Sequence, residues 1–236
     1  ALADSYKISG VPELSMRALD SLRQYKKDLE EYTYQNRKGN IHYYFAEYPA
    51  AAERYRLALA AKEDDDVLHS NLALALERIE QPGKLLDILG EAIQHLKRAI
   101  ELDPNYQTAY ANLGVVYYQQ GQFDLAASQY EKALELDPND GEVAYNLGAL
   151  YLQQALATGG APDLDRLNQA IAQLEHVQAL DPDLAEPYFG LGVAYTVLER
   201  RADAIQAFET FLARDTGQDP RASQEAQRYL QDLREQ

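Results

Sequence analysis

From Gln107 to Asp140 the chain reads QTAYANLGVVYYQQGQFDLAASQYEKALELDPND, and its apolar positions recur three or four residues apart in two successive runs. That spacing puts them on one face of each of two α-helices. The first run carries Tyr110, Leu113, Gly114 and Tyr117, the second Ala126, Tyr130 and Ala133, and Pro138 closes the pair. Two antiparallel helices pack closely where one supplies small residues and the other volume. Gly114 and Ala126 are the small ones, and a helical glycine costs about 1 kcal/mol relative to alanine, so its presence implies a close backbone approach that offsets the loss. Pro138 cannot continue a helix, and Asn139 and Asp140 behind it are suited to cap the next one.

The same 34-residue pattern recurs on both sides. A fourth copy begins at Gly141 with Leu147, Gly148 and Tyr151 and resumes at Ala170, Leu174 and Pro182. Its surplus residues, 157–165, are expected to form a protruding loop. A fifth has Tyr188, Leu191, Gly192, Tyr195, Ala204 and Phe208, with Thr216 where the proline is due. Read backwards from Pro104, a second copy runs through Ala99, Leu96 and Ala92 to Leu76, Ala73 and Leu72, with an insertion at 81–87. The first rests on Tyr48, Ala51, Tyr55 and Ala58, preceded by a poorly marked helix in which Gly39 is in register. Before it, Glu13 to Tyr34 reads as one long helix with Ala18, Leu22, Tyr25, Leu29 and Tyr32 as its apolar stripe. After the repeats, Asp219 and Pro220 announce a helix lined by Ala226, Tyr229, Leu230 and Leu233, expected to cap the open end.

The order aromatic-x2-Leu-Gly-x2-Tyr, Ala-x3-aromatic, Pro resembles the tetratricopeptide (TPR) repeat family. The resemblance implies an all-α fold, a right-handed superhelical TPR α-solenoid of about five helix-turn-helix repeats with an N-terminal helix and a C-terminal capping helix. The expected organisation is an N-terminal segment 1–31, repeats at 32–65, 66–106, 107–140, 141–184 and 185–216, and the cap at 217–236. Leu113, Gly114, Tyr117, Ala126, Tyr130, Leu147, Gly148, Tyr151, Leu191, Gly192, Tyr195 and Ala204 are then the packing residues.

The resemblance also implies a concave groove lined by the first helix of each repeat, at about its second, fifth, sixth, ninth and twelfth residues. The sixth position gives Asn71, Asn112 and Asn146, amides that offer donor and acceptor to the backbone of an extended peptide. This is similar to the asparagine ladder of the O-GlcNAc transferase superhelix. Around them stand Tyr43, Ser70, Leu74, Glu77, Thr108, Ala111, Val115, Tyr118, Glu142, Tyr145, Ala149, Leu152, Phe189 and Val193. The fifth positions, Asn36, Ser70, Ala111, Tyr145 and Phe189, hold none of the basic residues with which chaperone-tail binding members of the family grip a carboxylate.

Charge narrows the partner. The 236 residues carry a formal net charge of −16, and residues 101–180 hold Lys132 and Arg166 as their basic side chains against 11 acids. Such a field repels phosphate backbones and anionic lipid and steers a basic segment in. Cysteine is absent, which excludes a disulfide framework and a thiolate metal site. No phosphate-binding glycine loop or Gly-x-Ser-x-Gly elbow is present. His42, His69, His95 and His176 are far apart in sequence and read as isolated side chains in different repeats, with no metal or other cofactor implied. Asp137 to Glu142 reads as an inter-repeat turn, since its acids do not alternate as a calcium loop requires. Glu63 to Asp66 reads as a turn and helix start.

The expectation is therefore a non-catalytic adaptor or assembly factor that binds a protein segment in its groove. A structural subunit of a larger complex, membrane-associated or not, and a regulatory module of a longer enzyme are the alternatives. No segment has the length of a transmembrane span. The cytoplasm is favoured, and because the chain begins without an initiator methionine and is read as processed or truncated, periplasmic, secreted and membrane-peripheral locations stay open.

Overall fold

The computed structural model describes residues 12–25, 30–157, 160–215 and 220–235. Among them are twelve α-helices and no strand. The chain divides into two compact units, residues 1–122 and 123–236.

The first unit holds α1 (Pro12–Tyr25), α2 (Glu31–Tyr44), α3 (Tyr48–Ala61), α4 (Asp66–Glu77), α5 (Leu85–Leu102) and α6 (Gln107–Gln119). Each packs on the next, and α4 also touches α6. The helix expected from 13 to 34 is divided. Glu30 has an extended backbone (φ −57°, ψ 141°) and α2 starts behind it, so Tyr34 belongs to the second helix. Packing between the two explains the division. Leu19, Tyr34 and Ile41 are buried together, Tyr34 donates to Asp20 at 2.6 Å, and Lys38 pairs with Asp20 at 3.2 Å. Leu19 rather than Ala18 is the buried apolar residue among those described in α1, while Leu22 is half-buried and Leu29 lies outside the described residues. Gly39 presses on Tyr55, where an added Cβ would come within 2.4 Å of the ring.

The second unit holds α7 (Phe123–Leu136), α8 (Gly141–Leu156), α9 (Leu164–Leu180), α10 (Glu186–Val197), α11 (Arg201–Arg214) and α12 (Pro220–Glu235). Successive helices again pack on one another, and α8 also reaches α10. The surplus residues of this region are shared between helices and turn. Leu164 and Asp165, expected in a loop, open α9, which Asp163 caps by accepting from the amides of Asp165 and Arg166. Residues 158 and 159 lie outside the described residues. Likewise Leu85, Leu86 and Asp87 of the other expected insertion already belong to α5.

The same devices recur along the chain. Asp65 and Asp140 cap α4 and α8 by accepting from Leu68 N and Val143 N, both at 3.0 Å. Tyr110 and Tyr188 donate to the carbonyls of Pro104 and Pro182, at 3.2 and 3.0 Å, tying each first helix to the turn before it. Tyr151 donates to Glu131 with Arg166 over its ring, and Tyr195 to Glu175 at 2.7 Å with Arg200 over its ring. The turns after α2, α6 and α10 each pass through one left-handed residue, Ala46, Gly121 and Glu199, whose neighbouring amides reach back to the last carbonyls of the helix. At the chain's end Ala226, Leu230 and Leu233 are buried, and Tyr229 stacks on Phe208 with centroids 4.9 Å apart.

Candidate functional site

In the second unit α8, α10 and α12 border an open cavity of about 800 Å³. Tyr145, Ala149 and Leu152 of α8 and Phe189, Gly190 and Val193 of α10 form one side of it. These positions follow from the repeat. Helix residues three and four apart share a face, and the opposite face of the same helices is taken by the buried Leu147, Tyr151, Leu191 and Tyr195. Gly190 keeps the floor low, because a Cβ there would meet Leu174 Cδ1 at 2.8 Å. Phe211 comes from α11, and α12 adds Ala222 and Tyr229.

The rim is charged. Glu186, Asp183, Asp215 and Glu225 stand around the opening with Arg214 and Arg221. Arg214 lies over the Tyr188 ring at 4.6 Å, with its buried Nη1 left without a hydrogen-bond partner. Asp215 accepts from Ser223. Burial, with the Glu186 charge adding to it, holds the Tyr145 phenol above its ordinary pKa, and burial and Glu225 do the same for Tyr229. Both phenols are therefore protonated donors at neutral pH, in an aromatic cleft bordered by carboxylates.

The first unit presents a different surface. Asn71 of α4 donates to Asn36 Oδ1 of α2 at 3.2 Å, Asn112 of α6 donates to Ser70 Oγ of α4 at 3.4 Å, and Gln119 donates to Glu77. Two of the three ladder amides are thus rungs between successive first helices. Ser70, expected in the groove, is buried, because its hydroxyl serves as the acceptor of one of these rungs. Leu74, Val115 and Ala111 are half-buried beside them, and Thr108 and Tyr118 are exposed. In the second unit Asn146 is half-buried and makes no side-chain hydrogen bond among the described residues, and Glu142 is exposed; neither lines the cavity.

Two features escaped the sequence. The wall supplied by α12 was readable as an apolar stripe, but its stripe implied a cap and not a cavity wall. The second concerns the histidines. His69 and His95 meet across the α4–α5 hairpin with their Nδ1 atoms 2.8 Å apart, which corrects the reading of four isolated side chains in different repeats. Among the described residues no group of three or more His, Cys, Asp or Glu could hold a metal ion, and no helix is long and apolar enough to cross a membrane.

Family models described as TPR repeat and tetratricopeptide repeat match residues 89–121, 108–140 and 129–172. The chain is a tetratricopeptide-repeat protein. Its fold class is all-α, of the TPR α-solenoid type. Solved structures that resemble it include PilW, a type IV pilus biogenesis factor (TM-score 0.72, 19% identity, 98% of this chain and 94% of that one). Another is Pseudomonas aeruginosa pilF, with TM-score 0.70 and 18% identity over 99% of this TPR chain and 97% of that one. Among curated proteins, the probable UDP-N-acetylglucosamine–peptide N-acetylglucosaminyltransferase SPINDLY of Hordeum vulgare is 38% identical over 81 residues, 34% of this chain. Hsp70-Hsp90 organizing protein 3 of Arabidopsis thaliana is 26% identical over 125 residues, half of this chain. The matched stretches span only 9% and 21% of those two proteins.

Proposed function

We propose that this TPR chain is a non-catalytic adaptor or assembly factor that holds a segment of a partner protein, with the cavity between α8, α10 and α12 as its anchoring site. The observation that carries the reading is the cavity itself. Tyr145, Phe189, Phe211 and Tyr229 give it large, rigid contact area at little cost in side-chain entropy, the property that makes aromatic residues binding hot spots. The carboxylates of Glu186 and Glu225 at the rim, in a chain of net charge −16, favour a partner segment with an apolar side chain next to a basic one. Within the second unit Asn146 keeps its amide for a peptide backbone, and within the first unit Asn71 and Asn112 each have amide capacity left over for one.

Photo-crosslinking from Ala149 in the native host, followed by calorimetric titration of the captured segment, tests this. Joint reversal of Glu186→Lys and Glu225→Lys should weaken binding by about tenfold or more, each tenfold being about 1.4 kcal/mol. Unchanged affinity would remove the cavity as the site. A second reading, a structural subunit of a larger complex, is favoured by the apolar start of α5, where Leu85 and Leu86 are exposed, Leu86 to 71%. It predicts crosslinks from Leu86 and none from Ala149. A regulatory module of a longer enzyme is the reading to which the short SPINDLY match lends support.

A further inference from the structure

His69 lies in the first turns of α4 and His95 midway along α5. Their Nδ1 atoms are 2.8 Å apart and their ring centroids 5.0 Å apart. Two imidazole nitrogens at that distance share one proton. The far side of His69 decides which ring owns it. His69 Nε2 is 2.9 Å from the carbonyl oxygen of Glu63, which can only accept, so Nε2 carries the hydrogen and Nδ1 of the neutral ring is bare. His95 Nδ1 is then the donor, and His95 Nε2 is free to take a further proton, 3.8 Å from Glu91 Oε1.

A first added proton enters at His95 Nε2 without disturbing the contact. A second has to go to His69 Nδ1, where the His95 N–H already points. Two N–H groups would face each other with no acceptor between them. We propose that the His69–His95 contact is a proton-operated latch on the α4–α5 hairpin, closed at neutral pH and released in acid. Its release also loosens the rungs that α4 extends to α2 and α6.

The neighbouring residues carry that second step. Ser70 and Asn71 follow His69 directly and are the residues bonded to Asn112 and Asn36. Movement of α4 away from α5 therefore strains both rungs. The effect on partner binding rests on the groove reading above, whereas the latch does not. The charged groups around the pair are Glu91 on α5 and Arg56 on α3, bonded to each other at 2.6 Å, and the 62–66 turn. In that turn Asp65 is occupied by Lys62 and Asp64 by Arg98. From the side of α6 the Tyr106 phenol is directed to Ser70.

Burial, and then the neighbouring His69, hold His95 below the ordinary histidine value; Glu91 opposes them and Arg56 adds to them. The sign follows. Below an ordinary value of about 6.5 the unfolded chain binds protons that the folded chain refuses, so stability falls as the pH falls and is flat above about 7.

Imidazole titration by NMR on the intact chain, together with amide exchange at pH 7.5 and pH 5, tests the latch. The pair should take up its protons in two separated steps, as coupled sites do. Between the two pH values, after correction for intrinsic exchange, amides of α4 and α5 should lose about tenfold more protection than those of α8 and α9. In His95→Gln, which still donates to His69 but cannot charge, the acid-dependent loss should vanish. Full protonation of both rings with α4 and α5 equally protected overturns the proposal. Should His95→Gln fail to fold, the wild-type titration and exchange decide the question alone.

Discussion

Gly192 and Gly90 are both helical glycines, yet replacing each with alanine is expected to move stability in opposite directions. An alanine gains about 1 kcal/mol of helix propensity over glycine. At Gly192 the new Cβ would lie 2.7 Å from Phe208 Cδ1 and Cε1 and 2.8 Å from Cζ. Carbon atoms prefer roughly 3.5–4.0 Å, so the ring has to retreat by about 1 Å. Phe208 has nowhere to go. It is fully buried, stacked on Tyr229 and met edge-on by Phe189 at 5.9 Å. Overpacking costs about 1–3 kcal/mol, and with the ring held on every side the cost here lies in the upper part of that range, about 2–3 kcal/mol. The propensity gain offsets only part of that, and Gly192→Ala should destabilise by about 1–2 kcal/mol, a melting temperature lower by roughly 3–6 °C. Gly90 has nothing within 4 Å of the same added atom, so Gly90→Ala should raise the melting temperature by roughly 2–4 °C. Circular dichroism melts of both variants decide it, with Phe208→Leu added to Gly192→Ala to restore part of the loss. A Gly192→Ala protein as stable as the parent would mean that the helix contact is not what requires the glycine.

Asn71→Ala removes a rung to Asn36 whereas Asn146→Ala removes no side-chain bond among the described residues, so the first should cost about 1 kcal/mol in urea denaturation and the second close to nothing. Equal costs would deny the rung its role. Gly121→Ala forces a side chain into a left-handed turn (φ 72°) with open space around it, and should cost about 1–2 kcal/mol through the backbone alone; an unchanged melt would show that the turn has relaxed.

The paired helices were legible because the repeat writes each contact twice, once as a small residue and once as a large one. Gly192 and Phe208, or Gly148 and Leu174, can be matched before any coordinates exist. Half of the cavity was legible for the same reason, since Tyr145, Leu152, Phe189 and Val193 follow from the repeat numbering. The other wall was not, because the docking of α12 depends on how Tyr229 meets Phe208, a contact outside the repeat. Apolar spacing that predicts one helix from 13 to 34 continues across Glu30, while the break is made by contacts between Leu19, Tyr34 and Ile41. The histidine contact stayed hidden because its partners are 26 residues apart on helices of different length. No local pattern announces which residues of two antiparallel helices come level.

The pairing of glycines with bulky partners also bears on how such a chain can grow and diverge. Gly39 is fitted to Tyr55, Gly148 to Leu174 and Gly192 to Phe208, and each pair lies within one helical hairpin. A recombination event with a breakpoint inside a hairpin would bring a first helix from one copy against a second helix from another, and set a glycine opposite a side chain for which it was not cut. A breakpoint in the connection at 62–65 or 103–106 carries both members of a pair together, whereas one at 181–185 parts Gly190 from the Leu174 side chain it is fitted to. For these three pairs the hairpin, and not the single helix, is therefore the smallest segment of this gene that can be duplicated, deleted or exchanged without parting a glycine from its partner.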